Sequence, residues 1–213
     1  MTVIPDTAGI RRLGLLGGTF DPIHEGHLAL ADYAAYHAGL DRVWFIPSAT
    51  PPHKRRSDLA DAAIRFEMTR AAVEPYAPRF AATDIELQRD GPSYTVETLR
   101  QIRDAVGCET ELFWIVGRDN LDEIPQWYQS RRIVEYVTII AGGRPGERVP
   151  DDLPDWFCAR LLLLDGPTID VSSTRIREQA ASGVIDLMSV PEPVARIIQS
   201  RGLYGYTAPN TTA

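Results

Sequence analysis

Short apolar runs separated by helix-like segments constrain this chain more than any other feature. Leu13-Gly14-Leu15-Leu16, Val43-Trp44-Phe45-Ile46, Leu112-Phe113-Trp114-Ile115-Val116, Val137 to Ala141 and Leu161 to Leu164 each read as a buried strand. Phe80 to Leu87 is expected to add another. Between them lie segments with apolar residues at helical spacing: Glu25 to Ala38, Leu59 to Val73, Thr95 to Val106, Ser172 to Ala181 and Pro193 to Gln199. Continuous apolar strands alternating with helices predict βαβ units, hence an α/β fold with an open parallel sheet and helices on both faces. Such sheets bind ligands beyond the carboxyl ends of their strands, near the point where strand order reverses.

A chain of 213 residues is long enough for one such domain and short for two. The expected layout is an N-terminal extension over residues 1–12, a single domain over 13–206 and a frayed tail over 207–213. Gly142 to Asp155, rich in Gly, Pro and Asp, reads as a flexible loop. No apolar run is long enough to span a bilayer, and Met1 to Arg12 lacks an export signal, so a cytoplasmic protein is expected. Cys108 and Cys158 have no metal-ligand spacing and are expected to be buried or half-buried thiols. A net charge of −7 argues against general nucleic-acid binding, which needs a basic face. It leaves room for an anionic small substrate held by a few placed cations.

Of 22 basic residues, Lys54 is the only lysine. A lysine places a compact charge on a flexible stem, which an arginine fork does not reproduce. On position alone a surface lysine is an equal alternative. His24, His27 and His53 fall in two short segments, while His37 reads as structural.

The first segment, Gly17-Gly18-Thr19-Phe20-Asp21-Pro22-Ile23-His24-Glu25-Gly26-His27, joins a strand, a glycine turn and a helix start. Glycines let the backbone approach a ligand, and the helix start offers unpaired N–H groups with partial positive charge. It is neither a Walker loop nor a dinucleotide fingerprint. His24 and His27, three residues apart, share one side of the opening turn. Without a third ligand nearby, donation to phosphate is favoured over zinc, and no resident metal site is expected.

This segment resembles the signature of the nucleotidylyltransferase superfamily. Four more resemble one branch of it, the bacterial nicotinate-nucleotide adenylyltransferases: Pro51-Pro52-His53-Lys54, Ser93 to Leu99, Gly117-x-Asp119 with Trp127 downstream, and Ser172-Ser173-Thr174-Arg175-Ile176-Arg177. The resemblance implies a Rossmann-like sheet of nucleotidyltransferase type. It also implies transfer of an adenylyl group from ATP to nicotinate mononucleotide, a step of NAD biosynthesis, with Mg2+ arriving with ATP.

By the same resemblance His24, His27, Lys54 and Arg177 act on the phosphates, with Gly17 and Gly18 lending close backbone approach. Ser172, at a helix N-cap, forms a second anion site with Ser173. Gly117 and Asp119 border the adenosine, although Asp119 also reads as a plain N-cap. Thr19 and Phe20 border the mononucleotide. Trp127 stacks on the pyridine, with Thr95 and Tyr128 near its carboxylate, although Trp127 alone also reads as a core aromatic. Arg175 and Arg118 occupy varying places in their motifs, and Arg175 is expected to face solvent. Sister transferases acting on phosphopantetheine or cytidylyl donors, and a silent nucleotide-binding module, are the rival readings. The sequence does not decide between nicotinate and nicotinamide mononucleotide, and a homo-oligomer is left open.

Overall fold

A computed structural model describes residues 2–50, 59–166 and 171–208. Six strands form one parallel sheet: β1 (Arg12–Gly18), β2 (Arg42–Pro47), β3 (Phe80–Ala82), β4 (Glu111–Gly117), β5 (Val137–Gly143) and β6 (Leu161–Asp165). The order is β3-β2-β1-β4-β5-β6. Strand order reverses at β1, which pairs with β2 on one side and β4 on the other, setting Leu15 between Trp44 and Trp114.

Successive side chains of a strand point to opposite faces, and the two faces carry separate cores. Leu13, Leu15, Trp44, Trp114 and Ile139 pack on one face, against α3 (Thr95–Val106) and α4 (Ser130–Tyr136). Leu16, Phe45, Ile115 and Ile140 pack on the other. There they meet α1 (Glu25–His37), α2 (Ala62–Val73), α6 (Ser173–Ala181) and α7 (Glu192–Arg201). The one-turn α5 (Asp155–Cys158) adds Phe157 to the first core. Burial of each such aliphatic side chain contributes about 1.5–3 kcal/mol. Helix α1 turns Leu28, Ala31, Ala34 and Ala35 inward, and the three small alanines let its axis lie close to the sheet.

Several elements differ from expectation. Only Phe80–Ala82 joins the sheet, not Phe80 to Leu87. After Thr83 the chain turns, with the Leu87 N–H donating to the Asp84 carbonyl. Asp84 instead accepts from the backbone of Val3, so the polar Thr83–Glu86 stretch is satisfied by tertiary partners rather than a ladder. Helices α4 and α5 are short and carry too few periods to signal themselves. Residues before β1 lie against the domain: Ile10 is buried, and Arg42 donates to Asp6. Both cysteines are exposed rather than buried, Cys108 in the turn after α3 and Cys158 at the end of α5. Among the described residues no helix is long and apolar enough to cross a membrane.

Candidate active site

A cavity of about 740 Å³ opens at the carboxyl ends of β1, β4 and β5, where the strand order reverses. The glycines at the end of β1 form its floor. A Cβ on Gly17 would sit 2.4 Å from the Trp114 ring, so only glycine fits over that indole. The chain then turns through Phe20, held at φ 49° with its ring buried against His27 and Phe45.

His24 is the N-cap of α1, in extended backbone. Its backbone N–H donates to His27 Nδ1 at 3.2 Å, and the two imidazoles stack with centroids 3.7 Å apart. An Nδ1 that accepts puts the ring proton of neutral His27 on Nε2. Burial pushes the pKa of His24 down to about 4, so this imidazole is neutral near pH 7.

The start of α6 faces the same cavity. Ser172 caps it, its Oγ accepting from the Arg175 N–H at 3.3 Å. Ser173 Oγ donates to the Pro22 carbonyl at 3.0 Å, tying this helix to the loop before α1. Arg177 reaches back along that loop, donating to the Asp21 carbonyl at 2.7 Å and to Thr174 Oγ1 at 3.1 Å. Two helix N-termini therefore converge, each with partial positive charge. Arg175 is exposed.

Gly117 ends β4 and caps a short turn over Arg118–Asn120. Asp119 lies inside that turn, exposed, its Oδ1 accepting from Asn120 Nδ2 at 2.7 Å, so it is not the cap residue. The remaining wall holds Thr95, the first residue of α3, with Trp127 and Tyr128. Trp127 is half-buried, packed on the core on one side and lining the cavity on the other. Its Nε1 is buried with no hydrogen-bond partner. Tyr128 is half-exposed with its ring 4.5 Å from that of Tyr94. Thr19 lines the cavity too, its carbonyl accepting from Arg65 at 2.6 Å. Gly17, Gly18, Phe20, His24, His27, Gly117, Asp119, Ser172, Ser173 and Arg177 thus surround one space with Thr19, Thr95, Trp127 and Tyr128. Lys54, with Pro51, Pro52 and His53, lies outside the described residues.

The cytidylyltransferase-like family matches residues 15–179. The nicotinate-nucleotide adenylyltransferase of Bacillus subtilis is 36% identical over 195 residues, covering 92% of this chain and 99% of that one. The probable nicotinate-nucleotide adenylyltransferase of Dehalococcoides mccartyi strain 195 is 39% identical over 198 residues, covering 91% and 97%. This chain belongs to the nicotinate-nucleotide adenylyltransferase family. Plasmodium falciparum nicotinic acid mononucleotide adenylyltransferase, solved in complex with NaAD, shares the fold with a TM-score of 0.76 at 16% identity. That superposition covers 92% of this chain and 98% of that one.

The structure also brings in residues that motif reading passed over. Asp21 and Glu86 are buried carboxyls lining the cavity. Arg118 is buried and donates to the carbonyls of Arg144, Glu147 and Leu164 and to Asp165 Oδ1. Arg65 is 1% exposed and binds three carbonyls. Its signal was available: Arg65, Met68, Thr69, Ala72 and Val73 form the inward stripe of α2, so the helical period puts this arginine on the core face. Among the described residues no three His, Cys, Asp or Glu side chains converge as a metal site, so they do not by themselves build a resident ion site.

Proposed function

We propose that this chain transfers the adenylyl group of ATP to nicotinate mononucleotide, giving nicotinate adenine dinucleotide and pyrophosphate. The convergence of two helix N-termini and a stacked histidine pair on one cavity, continuous with an aromatic wall, carries this reading. The family to which the chain belongs supports the choice of acceptor.

In the reaction a phosphate oxygen of the mononucleotide attacks the α-phosphorus, a new P–O bond forms, and the bond to the β-phosphate oxygen breaks. The nucleophile is already an anion, so no side chain has to remove a proton. The site's work is alignment and stabilisation of charge that grows on the α- and β-phosphate oxygens. His27 Nε2–H and the partial positive charge at the start of α1 suit the α-phosphate. Arg177 and the start of α6 suit the departing pyrophosphate, and Lys54 adds a cation to that set. His24, neutral and stacked on His27, holds the second ring in place as well as donating. Gly117 and Asp119 border the adenosine, while Thr95, Trp127 and Tyr128 receive the pyridine. Magnesium fits this cavity as an ion carried in by the triphosphate oxygens.

Incubation with ATP, magnesium and one acceptor at a time tests the assignment. Turnover of nicotinate mononucleotide should exceed that of phosphopantetheine by orders of magnitude. Adenylation of phosphopantetheine with none of nicotinate mononucleotide would overturn it.

A further inference from the structure

One wall of the cavity holds a buried polar cluster that phosphoryl transfer leaves unused. Glu86 lines the cavity at 5% exposure, and its Oε1 accepts from Thr98 Oγ1 at 2.7 Å. The Ser93 side chain stands by this carboxyl and favours its charged form. Burial raises the carboxyl's pKa, while Thr98, Ser93, Arg89 and Arg65 act in the opposite direction. Ser93 Oγ in turn accepts from the backbone N–H groups of Ala49 at 3.0 Å and Thr50 at 3.2 Å. The Ser93 N–H donates to the Thr50 carbonyl at 3.0 Å.

A serine hydroxyl has two lone pairs and one proton. With the Ala49 and Thr50 N–H groups taking both lone pairs, the proton is what remains to turn toward Glu86. Ala49 is gripped from its other side as well. Its carbonyl accepts from Arg65 at 3.2 Å, and the same guanidinium binds Thr19 and Ala60 carbonyls at 2.6 and 3.0 Å. The backbone just beyond β2 is thus clamped between a serine and an arginine.

We propose that Ser93, oriented by Glu86, is a positioning residue for the acceptor nucleotide: it fixes the backbone at Ala49–Thr50 and so the cavity wall of Ser48, Ser93, Tyr94 and Thr95. The inference rests on the reading that nicotinate mononucleotide is the acceptor. A flat ligand held by backbone donors and ring faces depends on wall spacing to a fraction of an ångström. Glu86 acts through Ser93 and not on the ligand, since a carboxylate facing the nicotinate carboxylate would repel it. Thr98 binds the same carboxyl without touching Ala49 or Thr50, so it separates support of Glu86 from support of the wall.

The test is steady-state kinetics with both substrates varied, on wild type, Ser93→Ala, Glu86→Gln, Glu86→Leu, the double variant Ser93→Ala/Glu86→Leu, and Thr98→Val. Ser93→Ala should raise KM for the mononucleotide about ten-fold, on the scale of lost hydrogen bonds, and leave KM for ATP within about two-fold. Glu86→Leu should do the same. Glu86→Gln keeps an oxygen for the Ser93 proton and should recover most of that loss. The double variant should be no worse than the worse single, because the two residues act in series. Thr98→Val should lower Tm with little change in either KM. Equal rises in both KM values for Ser93→Ala, or a double variant whose losses multiply, would overturn the proposal. If Glu86→Leu does not fold, Ser93→Ala and Glu86→Gln still decide. Wild-type protein that fails to use nicotinate mononucleotide sinks the underlying reading. Wild-type turnover with an unchanged KM in Ser93→Ala sinks this inference alone.

Discussion

The hydroxyl of Tyr204 donates to Asp21 Oδ1 at 2.9 Å, joining the segment after α7 to the loop between β1 and α1. The same oxygen accepts from the Ala60 N–H at 3.2 Å. Arg177 Nη1 donates to the Asp21 carbonyl and lies 3.9 Å from Oδ2. Asp21 is 3% exposed, and its Oδ2 has no hydrogen-bond partner. Burial, then the charge of Asp21, push the Tyr204 hydroxyl's pKa up, so it stays a donor through the physiological range. A contact 183 residues apart in sequence therefore steadies the arginine proposed to meet the triphosphate.

Removing that donor should be felt in two ways. Tyr204→Phe leaves a buried carboxylate one partner short, at a cost of about 1–3 kcal/mol in urea unfolding. It should also raise KM for ATP several-fold while KM for the mononucleotide holds. Lost stability with unchanged KM for ATP would reduce Tyr204 to a purely structural role.

The floor of the cavity offers a steric prediction. A Cβ at Gly17 would lie 2.4 Å from Trp114 Cζ2 and 2.6 Å from Cη2, where the cavity floor rests on the buried indole. Gly17→Ala should therefore destabilise the fold by about 1–3 kcal/mol, the usual cost of overpacking. Replacing Trp114 by Leu in the same chain makes room and should return part of the loss. If Gly17→Ala unfolds at the wild-type denaturant concentration, the indole is not held against β1 as described.

His24 predicts a pH dependence. Its folded pKa of about 4 lies below the ordinary histidine value of 6.5, because burial disfavours the charged ring. Between those values the unfolded chain binds the proton and the folded chain does not, so stability rises with pH. Read downward, stability is present above about pH 6.5 and is lost as pH falls toward 4, by at most about 3 kcal/mol. His24→Asn keeps an N-cap side chain and removes the titration. Calorimetric Tm values between pH 4 and 7 should fall less steeply for this variant than for wild type. Parallel curves would mean that His24 titrates normally in the fold.

Much of this was legible in the chain because the informative signals are local. The apolar runs set the parallel sheet, and Thr95–Val106 was read to the residue because a motif opens it and Gly107 closes it. Ser172 was legible as a cap because capping needs a short polar side chain three residues before the N–H it satisfies. What was illegible depends on distant partners. Phe80 to Leu87 reads as one strand, yet Val3 and Thr98 draw the polar groups of Thr83, Asp84 and Glu86 out of the sheet. The exposure of Cys108 and Cys158 follows from where short turns happen to face, which composition does not encode. The motifs hold residues that line the cavity but not the arginine behind them at Arg65. An arginine whose partners are all carbonyls leaves no complementary charge in the sequence to find.

Arg65 is such a case, and the buried Arg118 yields a last prediction. It sits between two motif residues, 6% exposed, and one guanidinium spans the carbonyls of Arg144, Glu147 and Leu164 and the Asp165 carboxylate. Those partners belong to the turn after β5 and to the end of β6, and Gly143, Arg144 and Glu147 line the cavity. Arg118→Met keeps the apolar stem but strands three carbonyls, which should cost about 1–3 kcal/mol. In a chain of this size that lowers Tm by roughly 2–4 °C per kcal/mol. Arg118→Lys restores a charge but not the fork, so a single ammonium cannot span acceptors on two segments and should rescue little. Because the turn frames the side of the cavity near Gly117 and Asp119, both variants should raise KM for ATP more than KM for the mononucleotide. If lysine restores wild-type Tm and KM, charge alone matters there. The guanidinium would then not be what holds the β5 turn to β6.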